Sequence, residues 1–141
     1  MMDFILVGHG TTGIAMKNAV EMIFGESPSF YPLSFKPGEG LTDLSKKIEK
    51  TIDDHSLSSD RTLVVTDLFC GTPYNVSAAL AMKGKVKDVI AGMSLPICLE
   101  LAQAADKGTV SETVEHIIQA SPAYTRALSK ELQKQPDEGD F

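Results

Sequence analysis

Cysteine is scarce in this chain: among its 141 residues only Cys70 and Cys98 occur. Two thiols cannot build a disulfide framework, and their spacing fits no zinc motif. Both are expected as reduced thiols in a cytoplasmic protein. No run of about 18 consecutive apolar residues appears, which excludes a membrane-spanning helix in this chain. A peripheral place beside a membrane complex stays open. The first residues hold no basic stretch ahead of a long apolar run, so no signal peptide is expected. Lysine and arginine form no cluster, and the formal net charge is −6. Nucleic-acid binding, which wants a basic face, is excluded on that ground. Neither a Walker A sequence nor G-x-G-x-x-G is present, so no nucleotide held by either device is expected. Internal repeats and low-complexity segments are missing as well.

What remains is ordinary globular material. The hydrophobic fraction of 43% and charged fraction of 23% suit a folded chain with a proper core. The length suits one domain rather than two, with residues 1–134 as its body and 135–141 as a polar tail.

Phe4-Ile5-Leu6-Val7 reads as a strand buried on both faces. A helix is predicted from Gly13 to Phe24, with Ala15, Met16, Ala19, Val20 and Ile23 on its apolar face and Gly25 as its stop. Phe30 to Phe35 alternates at period two, and Pro32 inside it predicts an edge strand. Leu41, Leu44, Ile48 and Ile52 mark a second helix after a loop from Lys36 to Gly40. Leu63-Val64-Val65 is a further buried strand, closed by Thr66-Asp67. Thr72-Pro73 predicts an N-cap followed by proline in the first helical turn.

Val86 to Ala91 is a fourth strand, and Leu95-Pro96 opens a helix with Leu99, Ala102 and Ala105 on one face. Thr109-x-x-Glu112 has capping-box spacing, and Ser121-Pro122 predicts the end of the helix it starts. Propensity alone makes Ala123 to Gln133 a further helix. Strands alternating with helices give an α/β fold with an open parallel sheet. Right-handed crossovers and an edge position for the second strand predict the flavodoxin-like order 2-1-3-4. Ligands of such sheets bind where the strand order reverses, beyond the carboxyl ends of strands 1 and 3.

Strand 1 ends in Gly8-His9-Gly10-Thr11-Thr12, and strand 3 ends at Asp67. Each alone has a bland explanation. A histidine there could cap a turn or bind a metal, and an aspartate could bond the backbone of its own turn. Together they fit one chemistry. A carboxylate on one ring nitrogen fixes the tautomer, leaves the other nitrogen as a nucleophile and stabilises a positively charged ring. The helix start at Gly71-Thr72 offers backbone N–H groups and a dipole suited to an anion. Nucleophile, orienter and anion cradle together predict phosphoryl transfer through a phosphohistidine, with His9 and Asp67 as the catalytic pair and Gly10, Thr11, Gly71 and Thr72 around the phosphoryl group; no metal or other cofactor is predicted. His55 is expected as a solvated surface residue, His116 as structural and Cys70 as inert. Leu68, Phe69, Met93 and Leu95 would rim the same sheet edge, which suits a docking protein.

Val7-Gly8-His9-Gly10, Val65-Thr66-Asp67-Leu68, Gly71-Thr72-Pro73-Tyr74-Asn75 and the run from Val89 to Pro96 resemble the IIA domain of mannose-family (mannose, fructose, sorbose) sugar phosphotransferase systems. The resemblance implies that His9 takes a phosphoryl group from the phosphocarrier protein HPr and passes it to a IIB component. The membrane components IIC and IID then move the sugar. It implies an aspartate, here Asp67, bonded to the active histidine, and a cytoplasmic place beside a membrane transport complex. Family members often carry glycine where Cys70 stands. They commonly form homodimers that exchange a C-terminal strand, which would make Ala123 to Gln133 at least partly a strand. Related alternatives are the phosphotransfer subunit of a dihydroxyacetone kinase, a small cobalt or nickel sirohydrochlorin-type chelatase, and a module phosphorylated only as a signal. The chelatases place a second histidine across the crevice, and Leu68 to Asn75 contains none.

Overall fold

A computed structural model describes residues 1–134. The chain runs β1 (Asp3–His9), α1 (Thr12–Ile23), β2 (Phe30–Phe35), α2 (Leu41–Asp54), β3 (Thr62–Thr66), α3 (Thr72–Met82), β4 (Asp88–Ala91), α4 (Leu95–Ala104), α5 (Val110–Ala120) and α6 (Leu128–Lys134). Short 3-10 turns precede β3 and follow α5. All strand pairs are parallel, in the order β2-β1-β3-β4. Both the fold class and the strand order are those expected from the sequence. Pro32 sits on the edge strand and pairs in register only with Leu6, so its missing N–H costs no ladder bond on the open side.

Burial on both faces of the sheet explains the unbroken apolar run of β1, in which Phe4, Ile5, Leu6 and Val7 are all fully buried. Alternate side chains enter two separate cores. Phe4 and Leu6, with Leu63 and Val65 from β3, meet Val20 of α1, Leu101 of α4 and Ile117 of α5. Ile5 and Val7, with Val64, meet Leu44 and Ile48 of α2 and Leu80 of α3. A one-residue slip of β1 would swap these two sets, so its register is firmly specified.

Several details differ from expectation. The buried line of α1 runs through Gly13 and Val20, whereas Ala15 and Ile23 are exposed, because Gly13 makes the close approach to β1, where a Cβ would meet the Leu6 carbonyl. On α4 the buried residues are Ile97, Cys98, Leu101 and Ala102, with Leu99 only partly covered. The strand predicted from Val86 begins at Asp88, although Lys87 N–H already donates to the Thr62 carbonyl at 2.9 Å. Helix α3 is capped by Gly71 and not by Thr72, which is its first residue. The capping box at Thr109 and Glu112 is present, with the Glu112 N–H donating to Thr109 Oγ1 at 3.2 Å. The predicted helix over 123–133 shrinks to α6, and among the described residues no fifth strand joins the sheet. Gln135 to Phe141 lie outside the described residues. Among the described residues, no helix is long and apolar enough to cross a membrane.

Candidate functional site

The strand order reverses between β1 and β3, and there the chain brings His9 to Asp67 across 58 positions. One carboxylate oxygen receives both contacts. Asp67 Oδ2 accepts the His9 backbone N–H at 2.9 Å and lies 3.0 Å from ring Nδ1. An ionised carboxylate only accepts, so Nδ1 carries the proton and Nε2 is left with its lone pair. The His9 side chain is about half exposed, at 51%, while that of Asp67 retains 20%. Burial pushes the Asp67 carboxyl up, but the His9 N–H, the ring hydrogen bond and the ring's charge outweigh it and hold the carboxyl below its ordinary value of 3.8. Its second oxygen, Oδ1, is buried with no partner among the described residues.

Three further contacts fix the histidine. The Thr12 hydroxyl donates to the His9 carbonyl at 2.7 Å. The Phe35 ring stands edge-on to the imidazole with centroids 5.9 Å apart. Gly10, at φ +63°, turns the chain in a left-handed conformation and exchanges two backbone hydrogen bonds with Phe35, at 2.8 and 3.1 Å. Sequence reading missed Phe35. Its place at the end of the edge strand, in register with His9, was the available signal.

Across the crevice, a side chain at Gly71 would begin 3.2 Å from His9 Cε1, so glycine there keeps the helix start close to the ring. No side chain caps α3 among the described residues, and its dipole points at the crevice. The Gly10 and Gly71 N–H groups are already committed, to the Phe35 and Leu68 carbonyls. What these glycines contribute is therefore shape; Thr11 lines the same groove as His9, and Thr72 is the first residue of α3. Cys70 adopts φ +65°, a left-handed conformation that favours glycine, and is exposed.

An open groove leads from His9 past Thr11 and Thr12 along Ala15 and Ala19 to Leu95. Leu68 and Phe69 are 58% and 67% exposed, and the Phe69 ring leans on Tyr74 with centroids 4.9 Å apart. Met93 and Leu95 are instead partly buried against the α1 and α4 core. His55 is exposed and stacks on Tyr31, and His116 pairs with Glu100 at 2.5 Å, tying α5 to α4. Neither approaches the crevice. Burial pushes the Cys98 thiol up to about 12, so it is not a nucleophile.

Fold and site define a class: an open parallel α/β protein with an aspartate-oriented, solvent-facing histidine at the switch point of its sheet. Known proteins narrow the class. A family model described as "PTS system fructose IIA component" matches residues 3–118. The sorbose-specific EIIA component of the phosphotransferase system in Lacticaseibacillus casei is 46% identical over 140 residues, covering 99% of this chain and 100% of the relative. The fructose-specific EIIA component of Bacillus subtilis is 31% identical over 134 residues, covering 95% and 91%. The crystal structure of a phosphotransferase system component EIIA from Streptococcus agalactiae superposes with a TM-score of 0.83 at 26% identity, covering 92% of this chain and 99% of that one. The chain belongs to the mannose/fructose/sorbose family of phosphotransferase system EIIA components.

Proposed function

We propose that this EIIA component is a phosphohistidine carrier that takes a phosphoryl group from HPr onto His9 and delivers it to a IIB component. The observation that carries the reading is the Asp67 Oδ2 to His9 Nδ1 contact of 3.0 Å on a ring that is about half exposed. In the forward step the Nε2 lone pair attacks phosphorus. The bond from phosphorus to the donor's ring nitrogen breaks, and its electron pair returns to that ring. The His9 ring gains positive charge as the new P–N bond forms, and the Asp67 carboxylate is placed to stabilise it. Transfer to IIB reverses these roles. Such transfers depend on positioning and charge stabilisation more than on covalent help from the protein.

Thr11 and the first turn of α3 at Thr72 are the groups suited to hold the phosphoryl oxygens; Gly10 and Gly71 shape the space. The exposed Leu68 and Phe69 supply an apolar rim for a partner protein. A homodimer, a cytoplasmic location beside the IIC and IID membrane components, and a body of residues 1–134 with a separate tail belong to the same reading. All three relatives reported above are EIIA components, which favours sugar transport over a kinase subunit or a chelatase. Incubation with phosphoenolpyruvate, enzyme I and HPr tests the proposal. Acid-labile, alkali-stable label on wild type and none on His9→Ala is the expected result. Equal labelling of His9→Ala would refute it.

A further inference from the structure

Around the His9–Asp67 pair lies a second layer, formed by buried Gly8 and by Thr12 at the start of α1. Gly8 occupies a strand position and shows no left-handed φ, so its backbone has no need of glycine. Space is what requires it. A methyl group at position 8 would sit 2.9 Å from both Cγ and Oδ2 of Asp67, and 3.0 Å from Cβ of Thr12. Oδ2 is the same oxygen that receives both His9 contacts. Thr12, on the other side, holds the His9 carbonyl through its hydroxyl at 2.7 Å. The His9 peptide is thus gripped at its N–H by Asp67 and at its carbonyl by Thr12, and the Asp67 grip exists only because position 8 is bare.

We propose that Gly8 and Thr12 are positioning residues that set the orientation and tautomer of the His9 ring, Gly8 by leaving the Asp67 carboxylate its seat and Thr12 by pinning the His9 carbonyl. The consequence for phosphoryl transfer rests on the phosphohistidine reading; the tautomer itself does not. The carboxylate ends a short side chain and its Cγ and Oδ2 are the nearest atoms, so an added methyl displaces it first, while Thr12 Cβ at 3.0 Å must give by a few tenths of an ångström. Alanine is also no worse than glycine for strand conformation. Gly8→Ala therefore separates orientation from folding. Thr12→Val removes the hydroxyl at nearly constant shape, and Thr12→Ser restores it.

The test reads two quantities. Nitrogen-15 NMR of His9 at neutral pH, with no donor present, reports which ring nitrogen is protonated. Rapid-quench transfer from phospho-HPr reports the rate. In wild type Nδ1 is protonated and Nε2 bare. Gly8→Ala is expected to give mixed tautomers and a rate about 10- to 100-fold lower, with a loss of stability no larger than that of Asp67→Ala at the same pH. Thr12→Val should slow transfer about fivefold, the equivalent of one ordinary hydrogen bond, and Thr12→Ser should recover it. A wild-type tautomer together with a rate within about twofold of wild type in Gly8→Ala and Thr12→Val would overturn the inference; so would a Thr12→Val defect that Thr12→Ser fails to repair. A wild-type protein that accepts no phosphoryl group would sink the phosphohistidine reading alone, since the NMR comparison still decides the positioning roles.

Discussion

Replacing Asp67 in two ways separates its charge from its geometry. In Asp67→Asn the amide must choose an orientation. Turning its NH2 toward the Oδ2 position sets it against the His9 backbone N–H, donor against donor. Its oxygen therefore takes that position and keeps both His9 contacts, which lie at 2.9 and 3.0 Å in the native protein. The NH2 then occupies the place of Oδ1, which is buried and unpartnered among the described residues. An unsatisfied buried donor costs about 1–3 kcal/mol of stability. The tautomer survives, and what is lost is the negative charge beside a ring that becomes positive in the transfer. Charge-assisted hydrogen bonds contribute about 1.5–3 kcal/mol against about 1 for neutral ones. A loss of roughly 1–2 kcal/mol at the transition state slows transfer about 5- to 30-fold. Asp67→Ala loses the charge and both contacts, frees the ring to change tautomer, and should fall about 100-fold or more. Rapid-quench transfer from phospho-HPr, with urea denaturation as the fold control, measures both variants. Equal rates for Asn and Ala would refute the separation of charge from orientation. Rates within twofold of wild type for both would remove Asp67 from the chemistry.

Further expectations concern titration and the two thiols. Asp67 is held below its ordinary value of 3.8, so its ionised form stabilises the folded state above that range and the contribution is lost as pH falls through the lowered value. The stability deficit of Asp67→Ala should therefore be full at pH near 7 and shrink below about 4 in urea titrations at a series of pH values; a deficit that grows in acid would contradict this. Cys70 is exposed and Cys98 buried with its thiol pushed up to about 12, so a thiol reagent should label Cys70 in the native protein and Cys98 only after unfolding. Rapid native labelling of Cys98 would contradict that burial. At φ +65° Cys70 carries strain of about 1–2 kcal/mol that glycine relieves, less about 0.5–1 kcal/mol of extra chain entropy. Cys70→Gly should gain up to about 1.5 kcal/mol in urea denaturation and Cys70→Val should lose stability; losses in both would contradict the strain.

Much of the frame was legible because it depends on patterns that survive in one dimension. The four apolar residues of β1 announce a strand covered on both faces, and Pro32 names the edge, which with right-handed crossovers leaves order 2-1-3-4. The pairing of His9 with Asp67 follows from that order. Contacts set by side-chain direction were not legible. Residues 11 and 12 are both threonine and both line the groove, and no periodicity says that it is Thr12 whose hydroxyl turns back to the His9 carbonyl. The glycines beside His9 suggest room for an incoming partner, yet the space at Gly8 is filled from within, by Asp67 and Thr12. The apolar face of α1 was misplaced by part of a turn because Gly13, and not a large side chain, makes its closest approach to β1, where a Cβ would meet the Leu6 carbonyl at 2.4 Å. Capping by Gly71 instead of Thr72 shifts α3 by one residue, within the usual uncertainty of helix ends.

Phosphorus-31 NMR of the phosphorylated protein tests the role of His9 most directly, because Asp67 occupies one ring nitrogen and leaves the other. Labelled from phosphoenolpyruvate through enzyme I and HPr, wild type should show one phosphohistidine resonance, assigned to Nε2 of His9 and absent from His9→Ala. A phosphoryl group on Nδ1, on His55 or His116, or on no histidine at all, would contradict the geometry from which the function is drawn.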